Sequence, residues 1–111
     1  MEITFSSARL QKLCNNAGKL KGKYGPRLAD LIRTRLADLD AADSLADMRV
    51  LPGRCHELTG DLAGHLAVDL VHPDRLVFRP SNKPAPKNSS GSLEWQLVTA
   101  IEIVAIGDYH S

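Results

Sequence analysis

The chain has 111 residues, 43% of them hydrophobic and 24% charged, with a formal net charge of +1. That length fits one domain, 1–111, able to bury a core without cross-links. The composition excludes a disordered or fibrous chain, and the small net charge excludes nucleic-acid binding through bulk charge alone.

The first segment, "EITF" (Glu2–Phe5), reads as a short strand. "SSARLQKLCNN" follows, with a serine cap and with Leu10, Leu13 and Cys14 at helical spacing. "AGKLKGK" carries two glycines and is expected to break that helix. Pro26 then opens a second helix, where a first turn accepts proline. Its apolar stripe runs through Leu28, Leu31, Ile32, Leu36 and Leu39. The two helices are predicted to form an antiparallel hairpin. Charge is unevenly placed in this half. Arg9, Lys12, Lys19, Lys21, Lys23, Arg27, Arg33 and Arg35 stand against Asp30 alone, and acids gather only from Asp38 to Asp47. Such a basic half can bind a polyanion; it can equally be a solvated helix surface.

After "LPG" the pattern changes to period two. "RCHEL" (54–58) is predicted as a strand. In "GHLAVDLV", Leu66, Val68 and Leu70 face one way, and His65, Ala67 and Asp69 the other. A turn at His72-Pro73-Asp74 leads to "RLVFR", where Leu76 and Phe78 oppose Arg75, Val77 and Arg79. Residues 80–94, "PSNKPAPKNSSGSLE", read as a flexible loop. A last strand, 97–106, is apolar on nearly every position and is expected in the sheet interior. The fold class is therefore α+β, with an N-terminal strand and a helical hairpin packed on one face of a mainly antiparallel sheet. Leu66, Val68, Leu70, Leu76 and Phe78 should meet the helices.

The ending "GDYHS" places a carboxylate, a phenol and an imidazole behind that strand. By parity, Asp108 and His110 share a face if the strand stays extended to the end. Metal-free RNA cleavage needs an acid, a base and cations aimed at the phosphate. His110 suits proton transfer, Asp108 could be a base or orient the imidazole, and Tyr109 could hold phosphate or stack on a base. Arg75 offers a bidentate fork to phosphate. Taken alone, the same ending also fits an ordinary strand terminus. Cys14 and Cys55 have no CxxC spacing, Cys55-His56-Glu57 alternates across a strand, and neither suggests a metal site. No run is long enough to span a bilayer and the N-terminus lacks a signal-peptide core. The expected setting is the reducing cytoplasm.

The order strand, helical hairpin and meander, with "LPGRCHELTGDLAGHLAVDLVHPDRLVFRP" and the terminal "VTAIEIVAIGDYH", resembles the RelE/ParE toxin superfamily, and within it the HigB-type plasmid maintenance killer toxins. The specific pieces are Leu58, Gly60, Asp61 and Gly64 of the "L-x-G-D-x-x-G" turn, the "D-R-L-V-F" strand with Arg75, and the final "D-Y-H". The resemblance implies a cytoplasmic toxin that cuts mRNA in the ribosomal A site without a cofactor and is neutralised by a helix-turn-helix, HigA-like antitoxin. It implies Arg75, Asp108, Tyr109 and His110 as catalytic residues. Lys19, Lys21 and Lys23 would dock on ribosomal RNA. The family's turn usually carries basic residues where this chain has Leu62 and Ala63. Arg54, Arg79 or His65 would then replace the missing RNA-binding cation. Relatives of the same fold that inhibit DNA gyrase, or a decayed toxin that only binds its antitoxin, are the alternatives.

Overall fold

The computed structural model describes residues 1–109. The elements are β1 (Glu2–Phe5), α1 (Ala8–Cys14), α2 (Ala17–Tyr24), α3 (Pro26–Ala41), β2 (His56–Glu57), β3 (Leu66–Asp69), β4 (Arg75–Pro80) and β5 (Ala100–Gly107). Short 3-10 turns occur at Leu45–Val50, Gly60–Leu62 and Trp95–Leu97. The five strands form one sheet in the order β1-β5-β4-β3-β2. β1 runs parallel to β5, and all other pairs are antiparallel. The helices carry the chain from edge strand β1 to the opposite edge strand β2, and the antiparallel meander β2-β3-β4-β5 then returns to pair with β1.

The "AGKLKGK" stretch is not a break but α2. Asn16 caps it by accepting from the Lys19 N–H at 2.9 Å. Leu20, fully buried, anchors it to the core. Gly18 lies in the first turn, and the one helix-interior glycine, Gly22, costs about 1 kcal/mol relative to alanine, which burying Leu20 offsets. The hairpin therefore joins α2 to α3 through Gly25, whose φ of 81° suits glycine. Ser7 caps α1 by accepting from Leu10 N–H at 3.1 Å.

The period-two pattern places its residues as expected. Leu66 pairs with Phe78 and Val68 with Leu76, on the face that meets the helices. The other face carries a second, smaller apolar cluster of Leu58, Ala67 and Val77, with Leu62 and Ala105 against it. The Gly60–Leu62 turn thus folds over the outer sheet face, and Leu62 serves there as packing where a basic residue would leave the face polar. Three element boundaries differ from the sequence expectation. β2 is only His56–Glu57 because Arg54, with φ 49°, takes the chain out of extended backbone. The last strand starts at Ala100, since Trp95 is buried in a 3-10 turn and Asn82 accepts from the N–H groups of Thr99 and Ala100. In residues 80–94, Lys87 bridges Leu93, and the Asn88 side-chain oxygen accepts from both Ser90 and Ser92 N–H groups.

Within α3, Ile32 and Leu39 are fully buried, whereas Leu28, Leu31 and Leu36 are only partly covered. Leu39→Ala should therefore cost about 2–5 kcal/mol, as for buried leucines generally. Leu31→Ala and Leu36→Ala should cost less. Denaturant unfolding measures all three. Equal losses would mean that the stripe is buried to the same depth throughout.

A candidate phosphate site at one end of the outer face

β3 and β4 set Asp69 opposite Arg75. Both side chains lie on the outer face, away from the helices. The loop before β2 brings a third charge. Gly53, with φ 109°, and Arg54, with φ 49°, are both in the left-handed region, a conformation that Arg54 adopts only where its surroundings over-determine it. Those surroundings are explicit. The Asp69 N–H donates to the Gly53 carbonyl at 2.7 Å. Arg35 Nε, from inside the protein, donates to the Asp69 carbonyl at 3.1 Å. A Cβ on Gly53 would lie 2.7 Å from Arg35 Nε, so only glycine lets the loop sit on that guanidinium. Arg35, counted above in the basic helical stretch, is thus a buried strut and does not belong to the helix surface.

This frame aims the Arg54 side chain at Asp69. Arg54 Nε donates to Asp69 Oδ2 at 2.9 Å and Nη2 to Oδ1 at 3.4 Å, while Arg75 Nε donates to Asp69 Oδ1 at 3.2 Å. Arg75 Nη1 donates to the backbone carbonyl of Tyr109 at 3.2 Å. The two arginines differ in setting: the Arg54 side chain is 61% exposed and that of Arg75 only 12%. Arg75 is the fixed cation and Arg54 the solvent-facing one. With His72 and Asp74 they line a hollow of about 370 Å³. Burial alone would raise the Asp69 carboxyl; the Arg54 hydrogen bond and the charges of Arg54, Arg75 and His56 outweigh it and hold the carboxyl below its ordinary value. A carboxyl lowered by folding contributes stability above its unfolded pKa, and that contribution is lost as pH falls through the lowered folded value. Wild-type stability should drop from about pH 4 downward more steeply than that of Asp69→Asn. Parallel acid-unfolding curves would show that these ion pairs do not stabilise the fold.

His56 joins this end of the face and was missed as a site residue because its neighbours Cys55 and Glu57 invited only a metal interpretation. It pairs with Ala67 on β3, two positions from Asp69. Its Nδ1 donates to the Arg54 carbonyl at 2.7 Å, which leaves the Nε2 lone pair to accept a proton. Nothing in the sequence signals this contact, since it depends on the left-handed turn at Arg54. The thiols offer no such chemistry. Burial pushes Cys14 up to about 11 and Cys55 up to about 12, so both stay protonated near neutrality.

The chain end does not continue as a strand. A bulge between β4 and β5 leaves Phe78 opposite Ile103 and Val77 opposite Ala105. The extra residue shifts the alternation of β5 relative to β4. β5 ends at Gly107, and the Tyr109 N–H turns back to the Gly107 carbonyl at 3.1 Å. The Tyr109 ring lies over Gly107, 3.0 Å from where a Cβ would stand. Asp108 is exposed beside it. His110 lies outside the described residues.

The remaining expected RNA-binding residues do not join the cluster. Arg79 Nε donates to Glu102 Oε1 at 2.7 Å, further along β4. His65 Nδ1 donates to the Leu62 carbonyl at 3.3 Å and lines with Arg79 a separate cleft of about 460 Å³. Lys19 and Lys23, one helical turn apart on α2, surround a hollow of about 330 Å³ with Arg9 and Lys12. Lys21 is exposed but does not line that hollow, as expected of a residue two positions away on a helix. Among the described residues no group of three His, Cys, Asp or Glu could hold a metal ion, and no helix is long and apolar enough to cross a membrane.

No protein-family model and no curated protein sequence matches the chain. Solved structures do. A YoeB/ParE toxin from Agrobacterium tumefaciens aligns with a TM-score of 0.60 at 14% identity, over 99% of this chain and 100% of that one. A YoeB-YefM complex from Staphylococcus aureus aligns with a TM-score of 0.56 at 18% identity, over 100% of this chain and 98% of the matched chain. Both alignments span nearly the whole chain, helices and sheet alike, and the fold of this protein is that of the RelE/ParE-like toxins.

Proposed function

We propose that this protein is the toxin of a toxin-antitoxin pair and that it cleaves mRNA on the ribosome. The observation that carries this reading is the convergence of Arg54 and Arg75 on one carboxylate, with the Tyr109 carbonyl 3.2 Å from Arg75 Nη1. Two guanidiniums at the end of the outer face, one of them bonded to the Tyr109 carbonyl, fit a phosphate.

In this mechanism a 2′-hydroxyl gives its proton to a base as its oxygen bonds to phosphorus. The bond from phosphorus to the 5′-oxygen breaks, and that oxygen receives a proton. The products are a 2′,3′-cyclic phosphate and a 5′-hydroxyl. Arg75 holds the phosphorane oxygens, because it is fixed at two points and always charged. His110 and His56 are the two imidazoles for the proton transfers, with Asp108 to orient His110. Tyr109 stacks on a base or contacts the phosphate. No step calls for a metal or cofactor.

Lys19, Lys23, Arg9 and Lys12 are proposed as the ribosomal RNA contact, with Lys21 on its margin. Arg79 and His65 would touch the strand further along. The YoeB of Staphylococcus aureus is seen in a complex with YefM, and by analogy a small antitoxin covers this chain in the cytoplasm. The HigB-like ending suggests a HigA-like, helix-turn-helix antitoxin. Purified protein added to ribosomes carrying a defined mRNA should generate 5′-hydroxyl ends within the A-site codon. Intact mRNA under these conditions would defeat the reading. One observation favours the second reading, a non-nuclease toxin acting on gyrase or a decayed toxin: Leu62 is packed on the outer face, so the turn contributes no cation there. Growth arrest with intact RNA would select the gyrase inhibitor, and no arrest the decayed toxin.

A further inference from the structure

The carboxylate of Asp69 stands where the proposed reaction needs positive charge. Its placement is nevertheless one of the most constrained on the outer face. Its backbone is held on both sides, by the Gly53 carbonyl and by the buried Arg35. Its two oxygens then take Nε of Arg54 and Nε of Arg75. Nε carries one hydrogen and sits nearest the stem of the side chain, so a bond there fixes the plane and direction of each guanidinium. Of the Arg75 end nitrogens, Nη1 meets the Tyr109 carbonyl, and neither bond uses Nη2. Three arginines, Arg35, Arg54 and Arg75, bond to Asp69, Arg35 at its backbone carbonyl and the other two at its carboxylate.

We propose that Asp69 is the positioning residue of this site: it sets the guanidiniums of Arg54 and Arg75 side by side for one RNA phosphate, and its charge limits how tightly the uncut strand is held. This rests on the RNA-cleavage reading. A group held near its productive geometry lowers the barrier, and small misplacements of it cost up to about 100-fold in rate. The opposing charge repels the bound phosphate, so removing it should tighten binding even as the lost positioning slows the chemical step. Removing the charge should therefore split the two kinetic parameters.

Asp69→Asn keeps the size and one acceptor oxygen but loses the charge. On ribosomes carrying a defined mRNA, kcat should fall about 10- to 100-fold, while KM stays level or drops. Asp69→Glu keeps the charge but lengthens the reach, so kcat should fall without any drop in KM. Thermal unfolding of each variant gives the folded fraction to which rates are referred. A merely structural Asp69 would reduce that fraction and leave kcat per folded molecule unchanged. Should Asp69→Asn not fold, Asp69→Glu and the exposed Arg54→Ala decide, both of which should lower kcat. Wild-type kcat in every folded variant would overturn the positioning role while leaving the nuclease standing. If the wild-type protein leaves mRNA intact, the nuclease reading falls and takes this role with it.

Discussion

Arg75→Ala should slow RNA cleavage by about 10²–10³-fold, the loss typical of one preorganised charge-stabilising donor. Arg75 is the arginine of the cluster whose side chain is mostly covered, and it is fixed at Nε by Asp69 and at Nη1 by the Tyr109 carbonyl. Its charge is already in place before substrate arrives, so little reorganisation accompanies the reaction. The fold should survive, because the side chain lies on the outer face and the helix-facing core does not include it. Asp69 would lose one partner and keep Arg54. Single-turnover cleavage measures the effect. A loss below about threefold would place the phosphate elsewhere, with Arg79 the next candidate.

His110→Ala should lower cleavage by about 10²–10⁴-fold, as for the loss of a general acid or base. Its ordinary pKa lies near neutrality, so it can both accept and donate a proton there. The described chain stops one residue short of it, with Tyr109 bent back over Gly107 and joined to Arg75. His56→Ala provides the comparison. If His56 is the partner imidazole, each single variant should remove one limb of the bell-shaped pH profile. A profile that keeps both limbs in His110→Ala would show that another group transfers the proton.

The architecture could be seen in the sequence because it rests on periodicity. Leu66, Val68, Leu76 and Phe78 alternate, and alternation decides which sheet face is buried. What periodicity could not supply were the places where one local preference yields to another. Two glycines argue against a helix at 17–24, yet Leu20 and the Asn16 cap outweigh them. Arg75 was identifiable as a candidate from the strand and the terminal motif together. Its partners were not. Asp69 looked like one polar position among several in an alternating strand, and Arg35 like one more surface charge. A left-handed Gly53-Arg54 turn brings Arg54 to the Asp69 carboxylate, while Arg35 reaches its backbone carbonyl. The bulge in β5 likewise leaves no mark in an unbroken apolar run, and neither does the turn of Tyr109 back to Gly107.

The most direct test is to induce the chain without any antitoxin, in wild-type and Arg75→Ala forms, and to map RNA ends across the transcriptome. Wild type should arrest growth and produce new 5′-hydroxyl ends in frame with translated codons. Arg75→Ala should be expressed at a similar level and lose both effects. Growth arrest by wild type with no new RNA ends, or identical ends from both forms, would contradict the account.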